Sequence, residues 1–268
     1  MNEWGETMKS LLQKQQWKAA IACIERDKTT HAGTAPAHIK RKAVKLILST
    51  YKNNPEKVLE AAEYFSGHNS PTAKEISAHL LPEVYSVNPD SVAHLLHEIA
   101  DDDNWEVREW AAGGCGELLT EQFDEFYPVL YGWKDDQSEN VRRAVALAVM
   151  YASKRLGTEY ASKLLQVFEH LMADSSTYVK RNLGPFAIGD ALLKRYPEQV
   201  IPWLKKIAET DDENVRWNVA MVFTSAASRT YFNDGDAVLS LLENDERASI
   251  QRAIKKARRN LEKARVQI

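Results

Sequence analysis

The sequence predicts an all-α protein built as a stack of antiparallel helix pairs. The first observation is a recurring stretch. Asp101-Asp-Asp-Asn-Trp-Glu-Val-Arg-Glu-Trp110 reads as a helix end, a tight acidic turn and a new helix. It returns as Asp136-Gln-Ser-Glu-Asn-Val-Arg-Arg143, Asp174-Ser-Ser-Thr-Tyr-Val-Lys-Arg181 and Asp211-Asp-Glu-Asn-Val-Arg-Trp217, and more weakly as Asp245-Glu-Arg-Ala-Ser-Ile-Gln-Arg252. The second is the period. The apolar residue before each basic pair falls at Ile39, Ala73, Val107, Val141, Val179, Val215 and Ile250, at intervals of 34, 34, 34, 38, 36 and 35. The third is the scarcity of alternating apolar and polar runs, the mark of strands.

Each interval holds a helix, a short turn, a second helix and an acidic turn. Residues 1–28 read as a leading helix or pair whose apolar face is Trp4, Leu11, Leu12, Trp17 and Ile21. Residues 29–37 are the expected loop. In the recurring stretch, Asp103 and Asn104 can accept hydrogen bonds from the unpaired N–H groups that open a helix. Val107, Ala111, Cys115 and Leu118 then continue an apolar face at steps of three and four. The fourth interval predicts a second helix over 159–172 and the fifth one over 198–209. Each pair is too small to bury its own apolar face, so it must pack on its neighbours. No linker divides the chain. It is expected to be a single domain over 1–268, with capping helices over 1–38 and six to seven repeats over 39–268.

Hydrophobic content of 44% and charged content of 27% are ordinary for a soluble domain. No apolar run approaches the roughly 18 residues of a membrane span. Met1-Asn-Glu-Trp-Gly-Glu lacks a basic region followed by an apolar segment, so no secretion signal is expected. Cys23 and Cys115 form neither a metal pattern nor a disulfide framework and read as small buried residues, which fits a cytoplasmic location. The net charge of −3 argues against a uniformly basic nucleic-acid binder. The charge is uneven, however. Positions 90–140 are acidic, whereas Arg252, Lys255, Lys256, Arg258, Arg259, Lys263 and Arg265 face only Glu262. Such asymmetry is either a solvated terminal helix or a face for an anionic partner.

A period near 35 with an acidic turn followed by Val-Arg resembles HEAT-type repeats. The implied fold is a right-handed α-solenoid of HEAT-like antiparallel helix pairs. The resemblance also implies that acidic turn and first basic residue pair between neighbouring repeats. The pairs would be Asp103 with Arg108, Asp136 with Arg142, Asp174 with Lys180 and Asp211 with Arg216. The second residue after each apolar marker would point into the concave face: Arg41, Glu75, Glu109, Arg143, Arg181, Trp217 and Arg252. Guanidinium forks match phosphate oxygens. Arg41, Arg181, Trp217 and Arg252 are therefore candidate DNA-binding residues. The alternative is that solvated helix starts simply carry charge, and Glu75 and Glu109 break the series.

The chain also looks like the alkylpurine DNA glycosylases of the DNA alkylation repair family, over roughly residues 39–261. The residues that carry the likeness are Trp105-Glu-Val-Arg-Glu109, Arg143 one repeat later, and the segment Tyr178-Val-Lys-Arg-Asn-Leu-Gly-Pro-Phe-Ala-Ile-Gly-Asp-Ala-Leu192. The resemblance implies three catalytic residues. Trp105 takes the place of an aromatic four residues before a catalytic aspartate. Glu109 takes the aspartate's place, and Arg143 that of an arginine. There are two departures: Glu for Asp, and Pro185 where a second tryptophan is expected, with Phe186 or Trp217 able to supply an aromatic wall. The implied partner is double-stranded DNA, alkylated or distorted. The implied reaction is hydrolytic release of N3- or N7-alkylated purines, with no cofactor and no metal. The alternatives are a non-catalytic binder of damaged or branched DNA and a repeat scaffold for a protein partner. A monomer with no membrane association is expected in each case.

Other chemistry has less support. His31, His38, His68, His79, His94, His97 and His170 are scattered. His94 and His97 share a helix face with Glu98 beside them, but no third metal ligand is evident. Gly184 and Gly189 follow no strand, so they make no phosphate loop. Gly113, Gly114 and Gly116 sit within one helix, where each costs about 1 kcal/mol relative to Ala. Close approach of a neighbouring helix is the expected reason.

Overall fold

The computed structural model describes residues 3–27 and 32–263. Parts of the expected leading segment and loop, His31 and Arg265 lie outside the described residues. Among those described, every regular element is helical and none is a strand. No helix there is long and apolar enough to cross a membrane. Two compact units divide the chain, Met1–Leu118 and Leu119–Ile268.

The first unit opens with helices α1 (Glu3–Gln13) and α2 (Trp17–Ile24), followed by α3 (Ala37–Thr50), α4 (Pro55–Ser66), α5 (Pro71–Leu80) and α6 (Pro89–Ala100). Helix α7 (Trp105–Glu121) carries the chain across the unit boundary. Helices α4, α5 and α6 start alike. Asn54, Ser70 and Asn88 cap them by accepting backbone N–H groups of Lys57, Ala73 and Ser91, and each has a proline at its first position. The caps satisfy open donors, and the prolines have no N–H to leave unpaired. Met8, Leu12, Ile47, Phe65, Ile76 and Leu96 form this unit's core.

The second unit continues with α8 (Phe123–Gly132), α9 (Glu139–Ser153), α10 (Ala161–Leu171) and α11 (Thr177–Asn182). A π-helix over Leu183–Leu193 extends α11. Helices α12 (Pro197–Ile207), α13 (Glu213–Val222), α14 (Phe232–Leu241) and α15 (Ala248–Glu262) complete the unit. The helices expected over 159–172 and 198–209 are thus α10 and α12, each slightly shorter. Pro185 lies inside the π-helix, where it can donate no hydrogen bond to the preceding turn.

All seven markers are the third residue of their helix, in α3, α5, α7, α9, α11, α13 and α15. Six are buried, whereas Ile39 is half-buried and its neighbour Lys40 is the fully buried residue. The fourth residue of each helix is basic except in α15. Its pairing differs from expectation. Arg142 does pair with an acidic turn, but with the one that follows: its Nε lies 2.6 Å from Asp174, while its Nη1 donates to the carbonyls of Asp136 and Gln137 in its own turn. Lys74 likewise reaches Asp102 at 2.5 Å, and Arg216 reaches Asp245 at 2.8 Å. Arg216 is also 3.8 Å from Asp211, so that expected pair survives as a longer contact. Arg108 holds the carbonyls of Asp102 and Asp103 rather than the Asp103 carboxylate. Lys180 meets Asn214 rather than Asp174, because Asp174 is taken by Arg142 and Thr210 stands where the next acidic residue would be.

The reason is local. Asp102, Asp174 and Asp245 each accept the backbone N–H two residues on, those of Asn104, Ser176 and Arg247. This Asx turn fixes the carboxylate. Asn104, Ser138, Ser176 and Asp212 then cap the following helices. Hydrogen bonds from Arg247, aided by Arg216, hold the Asp245 carboxyl well below the usual carboxylate range.

The glycines mark close helix contacts. A Cβ on Gly114 would stand 2.1 Å from the Ala78 carbonyl oxygen of α5. In the second unit, a Cβ on Gly184 or Gly189 would stand 2.8 Å from Met221 or 2.6 Å from Ser225, so the lack of one lets the π-helix seat on the α13 segment. Helix packing, not ligand approach, accounts for them. Gly114→Ala is expected to lower unfolding free energy by about 1–3 kcal/mol in denaturant melts, since that contact has no room for a methyl group. Gly132→Ala, with nothing within 4 Å, should be neutral or stabilising by up to about 1 kcal/mol.

Candidate functional site

Helix α7 presents three faces in its first two turns. Val107 and Ala111 are fully buried in the core. Glu106 and Trp110 contact a buried polar cluster. Trp105 and Glu109, four residues apart and so on one side of the helix, take the remaining face. Trp105 is 47% exposed and Glu109 is half-buried. Such large exposed aromatics are few here, with Phe186 at 54% and Tyr64 at 39% the other rings among the described residues.

The cluster that fixes this face centres on Lys40, the fourth residue of α3. Its ammonium is fully buried, 2.7 Å from Glu75, 3.6 Å from Glu106 and 3.3 Å from the Thr34 hydroxyl. It also lies 4.4 Å from the centre of the Trp110 ring. The His79 ring meets Trp110 edge-on at 4.8 Å and approaches Glu117 at 3.1 Å. Thr34 donates to Glu106, and the Asn104 side chain donates to the Ala32 carbonyl. The 32–36 segment is therefore docked against the start of α7, with Thr34 and Ala35 fully buried.

This corrects the reading of Glu75 as a groove-facing charge: it is fully buried. Burial pushes its carboxyl up to about 7 against the opposing pull of Lys40. A buried charge persists only with partners close by, and here the ammonium is shared between two carboxylates.

The other candidate positions occupy the same fifth place of their helices. Arg41, Arg181 and Arg252 are exposed. Arg143 is half-buried, its guanidinium carbon 4.9 Å from the centre of the Tyr178 ring on α11. Trp217 is half-buried beneath the Lys180 ammonium at 4.7 Å. Burial lowers the Lys180 ammonium from its ordinary value. Pro185 is half-buried, and its neighbour Phe186 is the ring turned to solvent. Tyr178 and Lys40 were not among the sequence candidates. A lysine at the fourth helical place looks like every other rung of the repeat, so only contacts reveal its different role.

Both cysteines are buried free thiols, and burial pushes Cys115 up to about 12, so that thiol is not poised as a nucleophile. His94 lies 3.6 Å from Glu98 on an exposed helix surface. No group of three His, Cys, Asp or Glu side chains among the described residues is placed to hold a metal ion.

The family model described as DNA alkylation repair enzyme matches residues 36–208, more than half of the chain. The chain belongs to the DNA alkylation repair family. It is similar in fold to smu.31 from Streptococcus mutans UA159, with 18% identity over 80% of this chain and 97% of that one, at a TM-score of 0.57. AlkD2 from Streptococcus mutans is 18% identical over 90% of this chain and 97% of that one, with a TM-score of 0.51. The Pseudomonas fluorescens alkylpurine DNA glycosylase AlkC, bound to DNA containing an abasic site analog, is 16% identical over 90% of this chain and 68% of that one, with a TM-score of 0.52. At these identities the likeness is one of fold. No curated protein matches the chain in sequence. As a member of the DNA alkylation repair family, the protein has a repair-like role. The match takes in Trp105, Glu109 and Arg143 and, of the buried cluster, Lys40, Glu75, Glu106 and Trp110.

Removing one partner from the cluster leaves a buried charge. Lys40→Met is expected to cost about 3–5 kcal/mol in chemical unfolding, with much of the loss recovered in Lys40→Met/Glu75→Leu. The raised Glu75 carboxyl also sets a pH dependence. The folded state binds a proton more tightly than the unfolded state, so the contribution of Glu75 is greatest below about pH 4.5 and is lost as pH rises through about 7. Unfolding free energy measured from pH 5 to pH 7.5 should carry this decline in the native protein and lack it in Glu75→Gln.

Proposed function

We propose that this protein binds double-stranded DNA and hydrolyses the glycosidic bond of N3- or N7-alkylated purines. The observation that carries the proposal is the open α7 face, where an exposed indole precedes a half-buried carboxylate by one turn. Alkylation makes the purine a cationic leaving group, so the bond to the sugar is already weak. As it breaks, the base departs neutral and positive charge develops on the sugar. A carboxylate beside that sugar stabilises the charge and accepts a proton from the water that adds to the anomeric carbon. Glu109 has this role. Trp105 holds the lesioned nucleotide by stacking and cation–π attraction. Arg143 engages a neighbouring phosphate, with its guanidinium steadied by Tyr178. Arg41, Arg181, Trp217 and Arg252 extend the contact along the backbone. No step calls for a metal or an organic cofactor.

Family membership and the DNA-bound AlkC relative support the reading. Glu109 is one methylene longer than the aspartate expected from the resemblance, and the half-buried setting limits where that longer arm can reach. The proposal also takes the two units as one continuous repeat domain acting as a monomer.

The test is release of 7-methylguanine from a methylated duplex by the purified protein. Glu109→Gln should lower the rate at least about a hundredfold while duplex affinity is retained. Trp105→Ala should weaken binding by about 1–3 kcal/mol. Absence of base release from the native protein, with Glu109→Gln equally inert, rejects the glycosylase. Salt-dependent duplex binding would then leave a non-catalytic repair binder. Its absence as well would favour the protein-partner scaffold.

A further inference from the structure

Helix α15 carries a second charged feature. Its buried face is Ile250, Ala253, Ile254, Ala257 and Leu261, against α13 and α14. The opposite side presents Arg252, Lys255, Lys256, Arg259 and, just past the helix end, Lys263, all exposed. At about 100° per residue these five fall within an arc of about 100°, forming one straight stripe about 16 Å long. Several cations elsewhere in the second unit are engaged: Arg142 by Asp174, Arg216 and Arg247 by Asp245, and Arg258 by Glu243 and Asp236. Among the described residues, none of the five stripe cations has a hydrogen-bond or ion-pair partner. A shallow hollow of about 570 Å³ runs along the stripe, lined by Arg252, Lys255, Arg258 and Arg259. Glu262 also lines it, and Glu243 and Asp236 stand beside Arg258.

We infer that the α15 stripe is a sequence-independent docking surface for the phosphate backbone of duplex DNA, in which Lys255, Lys256, Arg259 and Lys263 join Arg252. The inference rests on the DNA-binding reading above and extends it to this surface. The chemistry favours a nucleic acid. Five unpaired cations in a line match a line of phosphates, and the stripe length spans about five base pairs at 3.4 Å each. Ile254 is buried and no large apolar side chain interrupts the stripe, so nothing there would insert into a lipid surface. Arginine and lysine without aromatic neighbours read charge and spacing, not base identity. The stripe therefore supplies affinity and a salt dependence, and leaves lesion choice to α7.

The experiment measures binding of a fluorescein-labelled, unmodified 20-base-pair duplex by anisotropy from 50 to 200 mM NaCl. The full chain is compared with Lys255→Ala/Lys256→Ala/Arg259→Ala. An equal-charge control is Lys9→Ala/Lys14→Ala/Lys18→Ala, which removes three exposed lysines of the first unit. Thermal melts confirm that both variants fold. The α15 variant should bind about tenfold or more weakly at 100 mM, with a log–log salt slope less negative by about 0.9 for each phosphate it no longer neutralises, while the control stays close to the native protein. Equal slopes and affinities for the α15 variant and the native protein would overturn the inference. So would equal losses in the control, which would show a net-charge effect only. Loss of binding to a poly-glutamate peptide with duplex binding unchanged would overturn it in favour of an acidic protein partner. If the α15 variant loses duplex affinity but the native protein releases no base and Trp105→Ala is silent, the stripe stands and the glycosylase reading falls.

Discussion

The structure depends on one recurring interaction, a cation at the fourth place of a repeat helix bound to the acidic turn of the repeat that follows. In the Arg142 instance the guanidinium satisfies two carbonyls of its own turn and forks onto Asp174. The Asp174 carboxylate is itself pinned by the Ser176 N–H. Three otherwise unsatisfied groups at a helix junction are thus closed by a single side chain. An exposed ion pair contributes little to stability, but Asp174 and Asp245 are almost wholly buried, and their arginines are only about one-fifth exposed. The interaction sets the register at which one helix start meets the next, and the fifth helical place is positioned as a consequence. Of the proposed DNA contacts, Arg41, Glu109, Arg143, Arg181, Trp217 and Arg252 occupy that place.

The Lys40 cluster departs from the rung and shows what the departure does. Lys40 holds the fourth place of α3, yet it turns inward to Glu75 and Glu106 instead of outward to an acidic turn. The gain is positional. Glu106 and Trp110 are held by Lys40, and Val107 and Ala111 by the core, so α7 cannot rotate without breaking both sets of contacts. Trp105 and Glu109 are then presented by a helix fixed on its other sides, the kind of support a reactive face needs.

The helical class, the repeat and its phase were legible in the sequence, because every marker proved to be the third residue of a helix. The period of the apolar side chains is set by the core, and the core leaves its imprint on residue type. The direction of the ion pairs was not legible. Asp136, Asp174 and Asp211 flank their neighbouring basic residues in sequence, while the true partner lies a full repeat away, as for Arg142 and Asp174. Glu75 was misread for a related reason. Its place in the helix resembles that of Arg143 and Arg181, and only the lysine 35 residues earlier makes burial tolerable. Pairing across repeats leaves no local signature. Family likeness put forward Trp105, Glu109 and Arg143 as candidates, whereas Tyr178 and Trp110, which steady cations, look like ordinary helix aromatics until their rings are placed.

The π-helix over Leu183–Leu193 changes how the chain can be counted. Each of its hydrogen bonds spans one residue more than in an α-helix, so the segment houses surplus residues without a bulging loop. It lies within the interval of 36 between Val179 and Val215, longer than the 34 of the first three repeats. Pro185, which stands where the family resemblance expects a second tryptophan, lies inside this segment. The ring that emerges here is that of Phe186, seated on a backbone that Gly184 and Gly189 press against α13. The surplus of two residues over the first three repeats is therefore accommodated within a helix rather than in a loop.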